Sequence, residues 1–202
     1  MQCQCKEVLI ENKEDLMSKN LMPSDTEVDV DATPAFRLPD ASSAMEGALA
    51  RALDFCARKM GLPSIEVALE QLRHGDTTAR EYCHYSLAGQ VSEALGALDE
   101  NVKSVSMYGY DATPEDLTLA EGARAPIIHL IVWATRRTGA LHSLISALDS
   151  ALVRDYSGMV GPRRMAHLLD VQVITDEDVE RRVGVAALLT SLYNPALPVW
   201  ER

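Results

Sequence analysis

A chain of 202 residues has room for one domain of ordinary size plus a tail, and an apolar fraction of 47% is enough for a sizeable core. A net charge of −11 argues against a mainly electrostatic grip on nucleic acid, which needs clustered Lys and Arg to displace counterions. No run approaches the ~18 apolar residues of a membrane span, and Met1 to Lys6 lacks the basic-then-apolar pattern of a signal peptide. The expectation is a soluble, cytoplasmic protein that engages neither membrane nor nucleic acid.

Residues 1 to 41 read as a flexible acidic tail. Acids from Glu7 to Asp40 outnumber Lys6, Lys13, Lys19 and Arg37, and Pro23, Pro34 and Pro39 break any long helix. Met22-Pro23-Ser24 would serve as a natural start, so removal of the residues before Met22 is expected to leave the melting temperature unchanged. Cys3 and Cys5 form a Cys-x-Cys pair, but a closed zinc site needs four ligands and none follow nearby. Four cysteines in a chain this long, without a secretory signal, do not read as a disulfide framework.

Residues 42 to 202 read as a single α/β domain, with a helical part over 42–100 and a β-α-β part over 101–202. Ser43-Ala44-Met45-Glu46 has the form of a capping box, and Met45, Leu49, Ala52, Leu53, Cys56 and Met60 recur at helical spacing after it. Gly61 and Pro63 end that helix. Ser64 opens a second with Ile65, Ala68, Leu69 and Leu72, and Asp76-Thr77-Thr78 opens a third. Its apolar face is Ala79, Cys83, Leu87, Val91, Leu95 and Leu98, where Gly89 and Gly96 weaken it or let a neighbour come close. Cys56 and Cys83 thus read as small core residues. Short helices joined by a glycine turn have the outline of a helix-turn-helix, but Arg73 and Arg80 are too few for an exposed basic reading helix.

Val102 to Tyr108 reads as a strand ending at Gly109, and Asp111 to Arg124 as a loop or short helix. Residues 127 to 133 are apolar except for His129, which predicts a strand covered on both faces. Thr138 is the expected N-cap of a helix carrying Leu141, Leu144, Ile145, Leu148 and Leu152 on one face, with Ser143, Ser146, Asp149 and Ser150 on the other. That helix is expected to stop near Ser157-Gly158, and the chain to return as a strand over 167–174. The spacing leaves parallel and antiparallel pairing open. Thr175 to Asp178 opens an acid-first helix, and Val199-Trp200 reads as a last edge strand.

This order of elements resembles the minimal nucleotidyltransferase domain. In that family the first strand ends in a Gly-Ser turn, the second carries two aspartates at i and i+2, and the third carries another. Together the three carboxylates hold magnesium on the nucleotide phosphates. Here Gly109 matches the turn glycine and Asp170 the third carboxylate, while Tyr110 stands in place of Ser, and Ile127 and His129 in place of the two aspartates. The resemblance covers roughly residues 88 to 178. One carboxylate and an imidazole do not replace three carboxylates around a hard cation. The expectation is therefore a non-catalytic regulatory or interaction protein, self-associating or bound to a protein partner, with no cofactor and no metal site.

The alternative is an enzyme acting on a nucleotide or small molecule through His129 and Asp170, facing each other on neighbouring strands as a general-base pair. Against it stands a buried polar pair satisfied by its own hydrogen bond, the reading favoured here. His129, His142 and His167 with Asp170 match no known ligand spacing. Gly109 and Tyr110 are the candidate ligand-binding residues. Tyr82 and Tyr85, three apart on one side of a helix, are the candidate interface.

Overall fold

A computed structural model describes residues 38–109, 128–160 and 166–202. Four helices come first: α1 (Leu38–Met45), α2 (Ala48–Met60), α3 (Ile65–Arg73) and α4 (Thr77–Leu98). Strand β1 (Val102–Tyr108), strand β2 (Ile128–Ala134), helix α5 (Gly139–Val160), strand β3 (Leu169–Ile174) and helix α6 (Asp176–Arg181) follow. A 3-10 helix (Gly184–Thr190) then leads into β4 (Leu197–Glu201). Among the described residues no helix is long and apolar enough to cross a membrane.

The fold is α/β, with one mixed four-stranded sheet in the order β3-β2-β1-β4. β1 runs antiparallel to β2 and β4, and β2 runs parallel to β3 across the α5 crossover. The pairing left open by sequence is thus settled as parallel, with Ile128 opposite Leu169 and His129 opposite Asp170.

Side-chain alternation divides the sheet into two faces. Val105 and Met107 of β1, Ile128, Leu130, Val132 and Ala134 of β2, and Leu169 of β3 join the helices in one core. Leu141, Leu144, Leu148 and Leu152 of α5 meet them there, as their spacing predicts. Ile131, Ile174, Ala186 and Ala196 form a second, smaller cluster on the other face, under the 3-10 helix.

Helix ends follow the polar residues that the sequence supplies. The Asp76 carboxylate accepts from Ala79 N at 2.8 Å, Thr138 Oγ1 from Leu141 N at 3.1 Å, and Thr175 with Asp178 forms a capping box. The box expected at Ser43 to Glu46 does not form. Ser43 lies inside α1, and α2 is capped instead by Gly47 at φ 69°, where a left-handed turn separates the two helices. The helical part begins at Leu38, within the stretch read as tail, and Ala41 is already buried. The rest of that stretch and the segments 110–127 and 161–165 lie outside the described residues. Helix α5 runs through Ser157-Gly158 to Val160, because Gly158 keeps an ordinary helical backbone.

Two helix positions, Asp149 and Gly96, tie the layers together. Asp149 was placed on the polar face of α5 and is instead buried. Its Oδ1 accepts from Leu168 N at 2.8 Å and Leu169 N at 2.9 Å, and its Oδ2 meets His167 Nδ1 at 2.7 Å. The carboxylate therefore satisfies the backbone donors that enter β3. Gly96 lies against the Trp200 ring of β4, so closely that a Cβ there would overlap it. Gly89 faces open space and carries no such contact.

Candidate functional site

On the sheet face turned away from the helices, alternation sets Asp170, His129 and Tyr108 side by side on β3, β2 and β1. His129 Nδ1 lies 2.8 Å from Asp170 Oδ2. Gln172 Nε2 donates to Asp170 Oδ1 at 3.2 Å, and the Tyr108 phenol stands close enough to the same carboxylate to feel its charge. Burial first, and the Asp170 charge second, push the Tyr108 pKa up. The Tyr108 and His129 rings lie 5.2 Å apart between centroids.

This geometry corrects the expectation of a buried pair. The side chains of His129 and Asp170 are 36% and 41% exposed. They avoid the helical core because each is the second residue of its strand and alternates away from its buried neighbours Ile128 and Leu169, and the 3-10 helix covers the Ile131–Ile174 side of that face instead. With the carboxylate at Nδ1, the imidazole presents Nε2 as the group able to exchange a proton.

Gly109 closes β1 at φ 64°, a left-handed turn that glycine alone adopts freely. A Cβ at this position would stand 3.5 Å from His129 Cδ2. Gly109, His129 and Asp170, three of the positions quoted for the nucleotidyltransferase resemblance, thus meet at one end of the sheet. Tyr110 and Ile127 lie outside the described residues. Asp170 has both oxygens engaged by neighbouring donors, which leaves it poorly placed to hold a hard cation. His167 pairs with Asp149 instead, and His142 is exposed on α5. Among the described residues no group of three or more His, Cys, Asp or Glu is placed to share a metal ion.

The opposite end of the strands is held by charge. Lys103 Nζ meets both oxygens of Asp176 at 2.7 Å, and Trp133 Nε1 donates to Asp176 at 2.8 Å. The bond from Lys103, then that from Trp133, holds the Asp176 carboxyl below its usual range. Arg137 reaches Asp178 at 2.8 Å and the Val173 carbonyl at 3.1 Å, which fixes α6 to the end of β3.

Tyr82 and Tyr85 do share a side, and both pack on a residue that the sequence reading did not single out. Phe55 of α2 stands 6.3 Å from the Tyr82 ring and 6.0 Å from the Tyr85 ring. The nearest large apolar pair to full exposure is Leu192 and Tyr193, at 93% and 97%, in the turn before β4. Sequence reasoning sets His84 aside as a partner for the Cys83 thiol, since neighbours in a helix do not face each other, and gives it no other place. It is buried on α4, and its Nε2 has no hydrogen-bond partner. Burial above all, then the charges of Arg80 and His129, lowers its pKa to about 3, so it is held neutral. Its place among Cys83, Leu87 and Ala88 on the helix was the available signal.

Compared with known protein families, curated proteins and solved structures, the chain matches none.

Proposed function

We propose that this is a non-catalytic regulatory or interaction protein built on a domain that resembles the minimal nucleotidyltransferase. The observation that carries the reading is the state of Asp170. It is the remaining carboxylate at the quoted positions, and it is spent on His129 and Gln172 rather than turned outward for a cation. The exposed Leu192-Tyr193 turn supports a protein partner or a second copy, because apolar tips of this kind are covered at contact surfaces.

The test is incubation with magnesium and labelled nucleoside triphosphates. No transfer is expected. Magnesium-dependent transfer that vanishes in Asp170→Ala would overturn the reading. Light scattering after size exclusion is expected to give a mass above the monomer that falls in a Leu192→Ser/Tyr193→Ser variant. A monomer at every concentration, with wild-type and variant alike, removes self-association.

A second reading is favoured by the half-exposed position of the pair. His129, oriented by Asp170, would act as a metal-independent general base on a nucleotide or small molecule. Its signature is turnover that survives chelation by EDTA and falls about 10²- to 10⁴-fold in His129→Ala.

A further inference from the structure

The sheet ends in two unlike edges, β4 on one side and β3 on the other. β4 is blunted: Pro198 lacks an N–H, and the register with β1 shifts between Val105 and Ser106. β3 has neither proline nor bulge and pairs evenly with β2 from Leu169 to Ile174. That pairing fixes which backbone groups β3 turns outward. Ile128 N donates to Leu168 O while Ile128 lies opposite Leu169, so the even-numbered residues of β3 address β2. Leu169, Val171 and Val173 therefore point their N–H and C=O to the open side. Two of these groups are taken from within the chain. Leu169 N donates to Asp149 Oδ1 at 2.9 Å, and Val173 O accepts from Arg137 Nε at 3.1 Å. Among the described residues no hydrogen bond reaches the rest, which are Leu169 O, Val171 N, Val171 O and Val173 N.

We propose that this edge pairs with the same edge of a second copy, antiparallel about a twofold axis at Val171, so that two four-stranded sheets become one. The open groups complement themselves in that register. Val171 N donates to the partner's Val171 O, and the reverse, while Val173 N on each copy donates to the partner's Leu169 O. The groups that would otherwise face each other, Leu169 N and the partner's Val173 O, are those already held by Asp149 and Arg137. Moving the axis one residue either way sets Val171 against the partner's Leu169 or the partner's Val173. One Val171 group then meets a group already taken and is left unpaired. Side chains agree with the same axis. Leu169, Val171 and Val173 lie on the core side, so apolar meets apolar. On the other side Asp170 faces the partner's Gln172, and no like charges stand opposite. An extended peptide of unrelated sequence meets the backbone groups but not this side-chain match. The blunted β4 edge closes the assembly at two copies. The surface is separate from the Leu192-Tyr193 turn. The inference rests on the self-association in the proposed function and adds the partner's Gln172 to each Asp170–His129 pair.

The experiment uses the full chain carrying Cys3→Ser and Cys5→Ser, so that the N-terminal thiols contribute nothing. Asp170→Cys and Gln172→Cys are prepared as separate variants and oxidised alone and mixed. In the proposed register positions 170 and 172 of the two copies are directly opposite, with Cα atoms about 4.5 Å apart and within disulfide reach, whereas like positions lie farther apart. A disulfide-linked dimer should form in the mixture and not in either variant alone. No cross-link in the mixture, or an equal yield from one variant alone, would overturn the register. In light scattering, Val171→Pro removes an outward N–H, which an edge strand tolerates, and with it both central bonds. The dimer should weaken about 30-fold. Gln172 is exposed, so its variants test the edge even if Val171→Pro fails to fold. Gln172→Glu should weaken the dimer about fivefold, and Gln172→Lys should tighten it by a similar factor. A mass that is unchanged in folded Val171→Pro but falls in Leu192→Ser/Tyr193→Ser would overturn this edge and leave the proposed interaction role standing. Magnesium-dependent nucleotide transfer by a dimer that still cross-links at 170 and 172 would do the reverse.

Discussion

The two faces of the sheet follow different rules. Toward the helices, Val105, Leu130 and Val132 are sealed in an aliphatic core, and the polar groups that enter it serve the backbone, as Asp149 does. Away from the helices, the same strands present His129, Asp170 and Gln172, bonded to one another beside the Tyr108 ring and half open. The helix side should therefore hold most of the stability, and the polar end of the far side, beyond its small Ile131–Ile174 cluster, the chemistry.

The sharpest break of that contrast is Asp149→Ala. It strands two buried backbone donors at the head of β3 and should cost about 3 kcal/mol in urea unfolding. Gly96→Val comes next. Its side chain collides with Trp200, and the strain should cost about 2 to 3 kcal/mol, with altered tryptophan fluorescence. Gly89→Ala on the same helix meets nothing and should instead stabilise by about 0.5 to 1 kcal/mol. Equal effects at the two glycines would remove the Trp200 lock.

His84 sharpens the comparison through pH. The unfolded chain takes up this proton below its ordinary value of 6.5, and the folded chain only near 3. Stability from this group is therefore full above 6.5 and falls as pH drops toward 3, by about 2 kcal/mol between about pH 7 and about pH 5. His84→Leu should flatten that slope. An unchanged slope in the variant would assign the acid sensitivity elsewhere.

The smallest effect is expected across the sheet. His129→Ala removes a half-exposed hydrogen bond to Asp170 and should change stability by less than about 1 kcal/mol. A loss as large as that of Asp149→Ala would mean that the far face also carries the fold.

Periodicity made the helix-facing side legible. Leucines of α5 at spacings of three and four, and the apolar run around Leu130, placed the helix and two strands close to their observed bounds. The meeting of His129 with Asp170 was also legible, since a β-α-β reading makes the two strands neighbours. Which side of the sheet the pair would occupy was not. Ile131 and Trp133 share its face and gave the run the look of a strand buried on both sides. The role of Asp149 was hidden for a similar reason: a carboxylate among serines looks like a solvent position until the entering strand brings its unsatisfied N–H groups alongside. Gly96 was readable as a close approach, but Trp200, 104 residues later, was not readable as its partner.

That separation sets the order in which the molecule assembles. The helices α1 to α4 contact one another over short stretches of chain, whereas Val105 must find Trp200 before β4 can join the sheet. Local contacts form fast and distant strand pairing forms slowly. In a refolding time course, helical ellipticity should thus precede the burial of the Trp200 indole, and the interval between the two signals measures how long β1 waits with one flank open.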